Sequence, residues 1–327
     1  MAEPACSVIV PVYNHAALTR RCLTTLLARS ETSDFELIVV DDASEDETPA
    51  MLADFGDRIT VVRRDENGGF ARACNAGADA ASARFVVFLN NDIEPGEGWL
   101  EALLDYAARK PEAAVVGAKL LYANGTVQHA GIVITQERIP RHIYGCFPGD
   151  HPAVGKSRRF QCVTGAAMLV RADVFRAAGG FDSAFLNAYE DIDLCLRLGR
   201  DGHEVHYCAE SVLTHLETVS RDFSDYERNH RLYLSRWVDS IEPDDLSYYL
   251  EDGLLELEYW DQFPIKLKVS PLLAEVVTPH GEQTAAEIAT IRARQVFELL
   301  RENAKLQVRM IEEAERADRL ATGDGYR

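Results

Sequence analysis

Asp92 follows Asn90 at a spacing of two, directly behind the apolar run Phe85-Val-Val-Phe-Leu89. Alternating side chains of an extended segment bring such a pair to one face. A hard cation such as Mg2+ or Mn2+ prefers oxygen ligands and completes its shell with substrate phosphates. Asp92 is therefore a candidate metal ligand, and Asn90 can add a carbonyl oxygen or touch a sugar or ribose. An Asx turn after a strand accounts for the same residues equally well. Glu190, Asp191 and Asp193 form a second acidic cluster where a helical pattern starts. Helix capping and dipole complementarity explain such a cluster, and a carboxylate there also suits taking the proton of an attacking hydroxyl. His215 reads as a loop residue, open to metal or phosphate binding. Arg221, six residues later, is of the type that clamps a diphosphate. Asn67-Gly68-Gly69 precedes a helical pattern whose first N–H groups can meet a phosphate, although turn chemistry explains the glycines too.

Periodicity predicts the elements that hold these residues. Ser7–Val12, Phe35–Val40, Ile59–Arg63, Arg84–Leu89 and Ala114–Tyr122 read as strands. His15–Arg29, Thr48–Phe55, Gly69 to about Ala81, and Trp99–Arg109 read as helices. The alternation predicts an α/β protein with a mostly parallel sheet and helices on both faces. In such sheets ligands bind beyond the carboxyl ends of the strands. Pro11–Asn14, Asp41–Ser44 and Asn90–Asp92 all stand at such ends, so three polar clusters converge on one rim. Gly125–Arg159 is irregular and is expected to cover the site as loops or a hairpin. Thr164–Phe175 reads as strand then helix, Tyr189–Asp201 as a helix, and Val205–Cys208 as a last short strand before a loop carrying His215.

The chain is expected to divide into a domain over 1–238, an acidic, mixed helical extension over 239–284, and a long helix over 285–327. Asp239–Asp261 contains no Lys or Arg. From Ala289 a seven-residue pattern places Ala289, Val296, Asn303, Met310 and Ala317 on one seam position. Arg292, Leu299, Leu306, Glu313 and Leu320 take the other. Such a seam makes a two-stranded coiled-coil homodimer one reading, and a helix packed on its own domain the other.

The 327 residues are 47% hydrophobic and 27% charged, the balance of a soluble globular protein. A formal charge of −19 argues against a nucleic-acid partner and against a polybasic grip on lipid. Seven scattered cysteines without a Cys-x-x-Cys pair offer no zinc or disulfide framework and predict free thiols in a reducing compartment. No secretory signal and no membrane-spanning stretch is visible, so the expected location is the cytoplasm, with at most a peripheral visit to the inner face of the membrane.

Taken in order, these pieces resemble glycosyltransferase family 2, of the GT-A fold group. The resemblance runs from about Cys6 to Trp237. It is carried by Ser7-Val-Ile-Val-Pro-Val-Tyr-Asn14, Leu37-Ile-Val-Val-Asp-Asp-Ala-Ser44, Asn67-Gly-Gly-Phe-Ala-Arg-Ala-Cys-Asn75 and Phe88-Leu-Asn-Asn-Asp92. Thr164-Gly-Ala-Ala-Met-Leu-Val-Arg171, Gly179-Gly-Phe-Asp182 and Glu190-Asp-Ile-Asp-Leu-Cys-Leu-Arg197 continue it. The resemblance implies that Pro11, Tyr13, Asp41, Asp42, Asn67, Gly68, Asn90, Asn91 and Arg221 serve the donor nucleotide. Tyr13 would stack on the base and Asp42 would accept its hydrogen. It further implies Asp92 and His215 as ligands of Mn2+ or Mg2+, Asp191 as the base with Glu190 beside it, and Gly165, Gln128 and His129 on the acceptor side. The implied reaction moves one sugar, with inversion, from a UDP or dTDP donor to a glycan, lipid-linked or protein acceptor. Asn90 stands where the family's DxD motif has Asp. Members similar to rhamnosyltransferase-like and O-antigen enzymes carry Asn there too, and Thr126-Val-Gln-His-Ala-Gly131 resembles that subgroup. Tyr233 replaces the Gln of the Gln-x-x-Arg-Trp segment of polymer synthases, which implies one sugar per encounter. A sugar nucleotidyltransferase would want a glycine-rich, basic first loop, and Val10-Pro-Val-Tyr-Asn14 is neither. A degenerate sugar-binding or scaffolding module finds support in Asn90 and opposition in Asp92, Glu190, Asp191 and His215.

Overall fold

The computed structural model describes residues 4–30, 34–216, 225–258 and 266–270, together with residues 305, 308, 310 and 311. The chain divides into two compact units at Asp244–Asp245. The first unit is built from strands β1 (Cys6–Val12), β2 (Phe35–Asp41), β3 (Thr60–Arg63), β4 (Phe85–Leu89), β5 (Ile93–Pro95), β6 (Ala113–Leu121), β7 (Val127–His129), β8 (Ile132–Ile134), β9 (Pro140–His142), β10 (Arg158–Phe160), β11 (Ala167–Arg171) and β12 (Glu204–His215). Its helices are α1 (Ala16–Arg29), α2 (Thr48–Ala53), α3 (Gly69–Ala80), α4 (Trp99–Arg109), α5 (Ala172–Ala177), α6 (Glu190–Arg200) and α7 (Tyr226–Trp237). In the second unit α8 (Asp245–Glu251) precedes an antiparallel pair, β13 (Leu255–Glu258) and β14 (Lys266–Val269). The coiled-coil expectation for 285–320 falls outside the described residues except at Lys305, Val308, Met310 and Ile311, which are helical.

The main sheet runs β10-β12-β6-β11-β4-β1-β2-β3, with β5 added to β12 and β7 added to β6. β4, β1, β2 and β3 are mutually parallel, and β12 is parallel to β6. β11 enters antiparallel between β4 and β6. β4, and β1 from Val8 onward, read as unbroken apolar runs because both faces of the sheet are covered, and Val8, Ile9, Val10, Val87, Phe88 and Leu89 are fully buried. α3 lies close on this sheet through small residues, Ala71, Ala73, Cys74, Gly77 and Ala78. A Cβ added at Gly77 would meet Ile9 Cγ2 at 2.4 Å.

Three features depart from the sequence expectations. β12 is a twelve-residue strand ending on His215, where a short strand and a loop were expected. A register shift between Cys208 and Val212 absorbs the intervening residues, and Ser211 Oγ donates to Trp99 O at 2.8 Å, so pairing resumes and sets His215 opposite Ile93. Gly125–Arg159, expected as loops or a hairpin, contains β7, the β8–β9 pair and part of β10. The first unit runs past 238, because Asp244 Oδ1 accepts from Ile134 N at 2.7 Å and Gln161 Nε2 donates to Glu242 O at 2.7 Å.

Candidate active site

The carboxyl ends of β1, β2 and β4 lie side by side, and the loops that leave them are stitched together. Asn14 and Ala43 both adopt positive φ, 57° and 64°, a conformation that needs local hydrogen bonds to hold it. Asn14 N donates to Ser44 Oγ at 2.8 Å, and Asn14 Oδ1 accepts from Glu45 N at 2.7 Å. Asp41, almost wholly buried, takes Ser44 N at 2.9 Å on one oxygen and the Arg63 guanidinium on the other. Asp41 is thus the support of this rim, and Pro11 packs half-buried at its inner edge. Tyr13 projects from the same loop at 42% exposure, leaving a ring face open to a planar ligand.

Asp42 is spent more fully than its expected role with a nucleotide base requires. Its Oδ2 accepts from Gly68 N at 3.0 Å and Gly69 N at 2.9 Å, while Oδ1 pairs with the Arg64 guanidinium. The N–H groups at the start of α3 therefore face a carboxylate of the protein, not an open phosphate position, and Asn67 Oδ1 adds a 3.0 Å bond to Gly69 N. Asn91 also turns inward: its Nδ2 donates to Thr19 Oγ1 on α1 at 2.9 Å. The backbone of Asn90 is fixed, with Asn90 N donating to Ala166 O at 2.9 Å. Arg221 lies outside the described residues.

Asp92 and His215 come together from 123 positions apart, with Nε2 and Oδ1 separated by 3.0 Å. Both are buried, at 9% and 3% exposure. Leu216 N closes the corner by donating to Asp92 O at 3.0 Å. A carboxylate oxygen from the turn before β5 and an imidazole nitrogen from the end of β12 fit a divalent cation that takes its other ligands from phosphate and water. Among the described residues no group of three His, Cys, Asp or Glu side chains gathers to hold a metal. Below them Cys22 is buried and donates to Asn90 O. Burial, reinforced by the Asp92 charge, pushes its thiol up to about 12, which makes it an inert packing group.

The acidic start of α6 separates into distinct positions. Asp191 is half-buried and accepts Gly165 N at 2.8 Å and Ile192 N at 2.8 Å. Asp193 is fully buried and binds Arg197 Nε at 2.7 Å, Arg236 Nη1 at 3.1 Å and Trp237 Nε1 at 3.1 Å. Glu190 is buried at the helix start. The preceding loop is held by Asn229 of α7, which donates to Leu186 O at 2.8 Å, and by Asn187 Oδ1, which accepts Phe70 N at 3.0 Å. Neither asparagine carries a signal in the sequence.

The segment Thr164–Ala166 ties these parts into one site. Gly165 holds Asp191, Ala166 holds Asn90, and Thr164 N donates to His129 Nε2 at 3.2 Å. His129, expected on the acceptor side, is fully buried and donates from Nδ1 to Ala118 O at 2.8 Å. Burial, with the neighbouring His142 imidazole adding to it, pushes its pKa down to about 3. It is a neutral structural link. Gln128, also expected on the acceptor side, turns its Oε1 to His215 Nδ1 at 2.8 Å.

The family model of glycosyl transferase family 2 matches residues 7–151. The chain is 34% identical over 226 residues to the O-antigen biosynthesis protein RfbC of Myxococcus xanthus, an alignment covering 67% of this chain and 18% of that protein. It is 29% identical over 243 residues to the pre-mycofactocin glycosyltransferase of Mycobacterium tuberculosis, covering 71% of this chain and 44% of that one. The chain therefore spans less than half of either relative. Among solved structures, GalNAc-T7 with UDP, GalNAc and Mn2+ superposes with a TM-score of 0.57 at 14% identity, covering 77% of this chain and 55% of that one, a likeness of fold. By the family match, these relatives and the shared architecture, the chain belongs to glycosyl transferase family 2 and carries the GT-A fold.

Proposed function

We propose that the protein is an inverting glycosyltransferase that moves one sugar from a nucleotide-diphosphate donor to a hydroxyl of a glycan, lipid-linked or protein acceptor. The observation that carries this reading is the buried Asp92–His215 pair, joined to Asp191 through Asn90 and Thr164–Ala166. Tyr13 supplies the stacking face for the base, beside the loop braced by Asp41 and Asp42. Asp92 and His215 would hold Mn2+ or Mg2+, and the imidazole favours Mn2+, because Mg2+ takes oxygen ligands. When bound, such a cation neutralises charge on the leaving diphosphate. Asp191 accepts the proton of the acceptor hydroxyl as its oxygen bonds to the anomeric carbon and the bond to the diphosphate breaks, which inverts that carbon. The two N–H groups on Asp191 aim its carboxyl group while leaving lone pairs free for that proton.

The relatives named above act in O-antigen synthesis and on pre-mycofactocin, and they favour a surface glycan or glycoconjugate acceptor here. No helix among the described residues is long and apolar enough to cross a membrane, so a lipid-linked acceptor would be met at the membrane surface. The test is a thermal-shift panel of UDP-, dTDP-, GDP- and CDP-sugars, each with Mn2+ and with EDTA. A donor at a hundred times its Kd stabilises the fold by about 2.7 kcal/mol. Metal-dependent stabilisation by one nucleotide class is expected. No shift with any donor would overturn the transferase reading in favour of a degenerate module. A homodimer through 285–327 is proposed on the heptad pattern alone; light scattering that gives one chain's mass, unchanged on deleting 285–327, would remove it.

A further inference from the structure

We infer that Gln128 is a positioning residue for the metal ligand His215: its amide oxygen keeps the proton on Nδ1 and so presents the Nε2 lone pair to a divalent cation shared with Asp92. The inference rests on the metal-dependent reading above. His215 is enclosed, with Gln128 Oε1 2.8 Å from one ring nitrogen and Asp92 Oδ1 3.0 Å from the other. An amide oxygen only accepts, so Nδ1 must carry the hydrogen. In the neutral ring Nε2 is then a bare acceptor facing a carboxylate oxygen. At 3.0 Å the two are close enough to share one divalent cation as neighbouring ligands. A metal-bound imidazole commonly donates its other N–H to an oxygen that fixes tautomer and ring orientation, and Gln128 stands in that place.

The backbone independently aims Gln128 at this ring. On β6 the adjacent residues Leu120 and Leu121 pair with His129 and Val127, so Gln128 is the extra residue of a bulge. Bulges re-aim a side chain out of the ordinary alternation. The peptide is held in place, since Gln128 O accepts from His142 Nδ1 at 2.8 Å. β12 carries its own register shift before it delivers His215. Two local irregularities thus bring together two side chains 87 positions apart. A neutral amide also fixes the tautomer without adding a second negative charge beside Asp92.

The experiment titrates Mn2+ into the full-length protein in the presence of UDP and follows the free-ion signal by electron paramagnetic resonance. Gln128→Leu is expected to weaken Mn2+ binding roughly 10–100-fold in a protein that still folds, with the metal-free melting temperature lowered because the Nδ1–H is left unpaired. Gln128→Glu, which can only accept from Nδ1, is expected to restore affinity to within a few-fold of the wild type. Wild-type affinity in a folded Gln128→Leu would overturn the inference and leave the metal reading standing. Equal loss in folded Gln128→Glu would do the same. Absence of Mn2+ binding by the wild type would remove both. Should Gln128→Leu fail to fold, nitrogen-15 spectra of wild-type histidines with UDP and Zn2+, a diamagnetic ion that takes imidazole nitrogen, decide. The His215 resonances, assigned by difference from His215→Gln, are expected as the Nδ1–H tautomer, and an Nε2–H tautomer would sink the proposal.

Discussion

Asp191 and Asp193 stand two residues apart on α6, yet their surroundings differ. Asp193 is fully buried under Arg197, Arg236 and Trp237, so Asp193→Ala should lower stability by about 3 kcal/mol, the low end for breaking a buried ion pair, since both arginines keep some solvent. Asp191→Asn should leave that stability and the UDP–Mn2+ affinity unchanged while transfer falls by roughly 10²–10⁴-fold. Urea midpoints, nucleotide titration and turnover separate the two, and undiminished transfer in Asp191→Asn would displace it as the base. His129 yields a prediction about pH. Its pKa is held at about 3 in the folded protein, well below an ordinary histidine. Above about pH 6.5 it is neutral in both states and contributes no pH dependence. As the pH falls below that, the unfolded chain takes up a proton that the native ring refuses. Stability is therefore lost on acidification, by up to about 1.4 kcal/mol per pH unit from this residue. Urea midpoints between pH 7 and pH 5 should slope accordingly in the wild type and less steeply in His129→Gln; equal slopes would show that His129 does not titrate between the two states.

Among the elements, the three residues leading into β11 have the widest influence on the site. Thr164, Gly165 and Ala166 are fastened to β7, to α6 and to the end of β4. A Cβ added at Gly165 would lie 3.2 Å from Asp191 Cβ and 3.4 Å from the Phe70 ring. Gly165→Ala should therefore push Asp191 by a few tenths of an ångström. A full ångström of misplacement costs about 10²-fold in rate, so a loss on the order of 10-fold in transfer is expected, with nucleotide affinity kept. A matching loss of nucleotide affinity would mean that the segment positions the donor and not the base. Strand periodicity located β1, β2 and β4 and their polar ends, because both-face burial enforces continuous apolar runs. It missed the extension of β12 to His215, since a bulge interrupts the alternation on which such readings depend.

For the molecule as a whole, every described contact of the site lies within the unit ending at Asp244. A chain cut after Asp244 should therefore fold and bind UDP–Mn2+ with wild-type affinity. Calorimetric titration checks this, and weakened binding by a folded truncation would mean that residues 245–327 contribute to the donor site. The formal charge of −19 sets a general repulsion that a cation held at Asp92 would partly relieve.

The amino-acid sequence by itself determined the α/β class, the placement of polar clusters at strand ends, and the candidate pair Asp92 and Asp191. These follow from local signals, namely burial periodicity and residue type. Only the tertiary structure decided that Asn91 and His129 belong to packing, that Asp42 is engaged with the start of α3, and that Gln128 turns to His215. Those assignments rest on partners between 11 and 87 positions away. A side chain's hydrogen-bond partner is set by bulges and crossing strands, and no period along the chain encodes it.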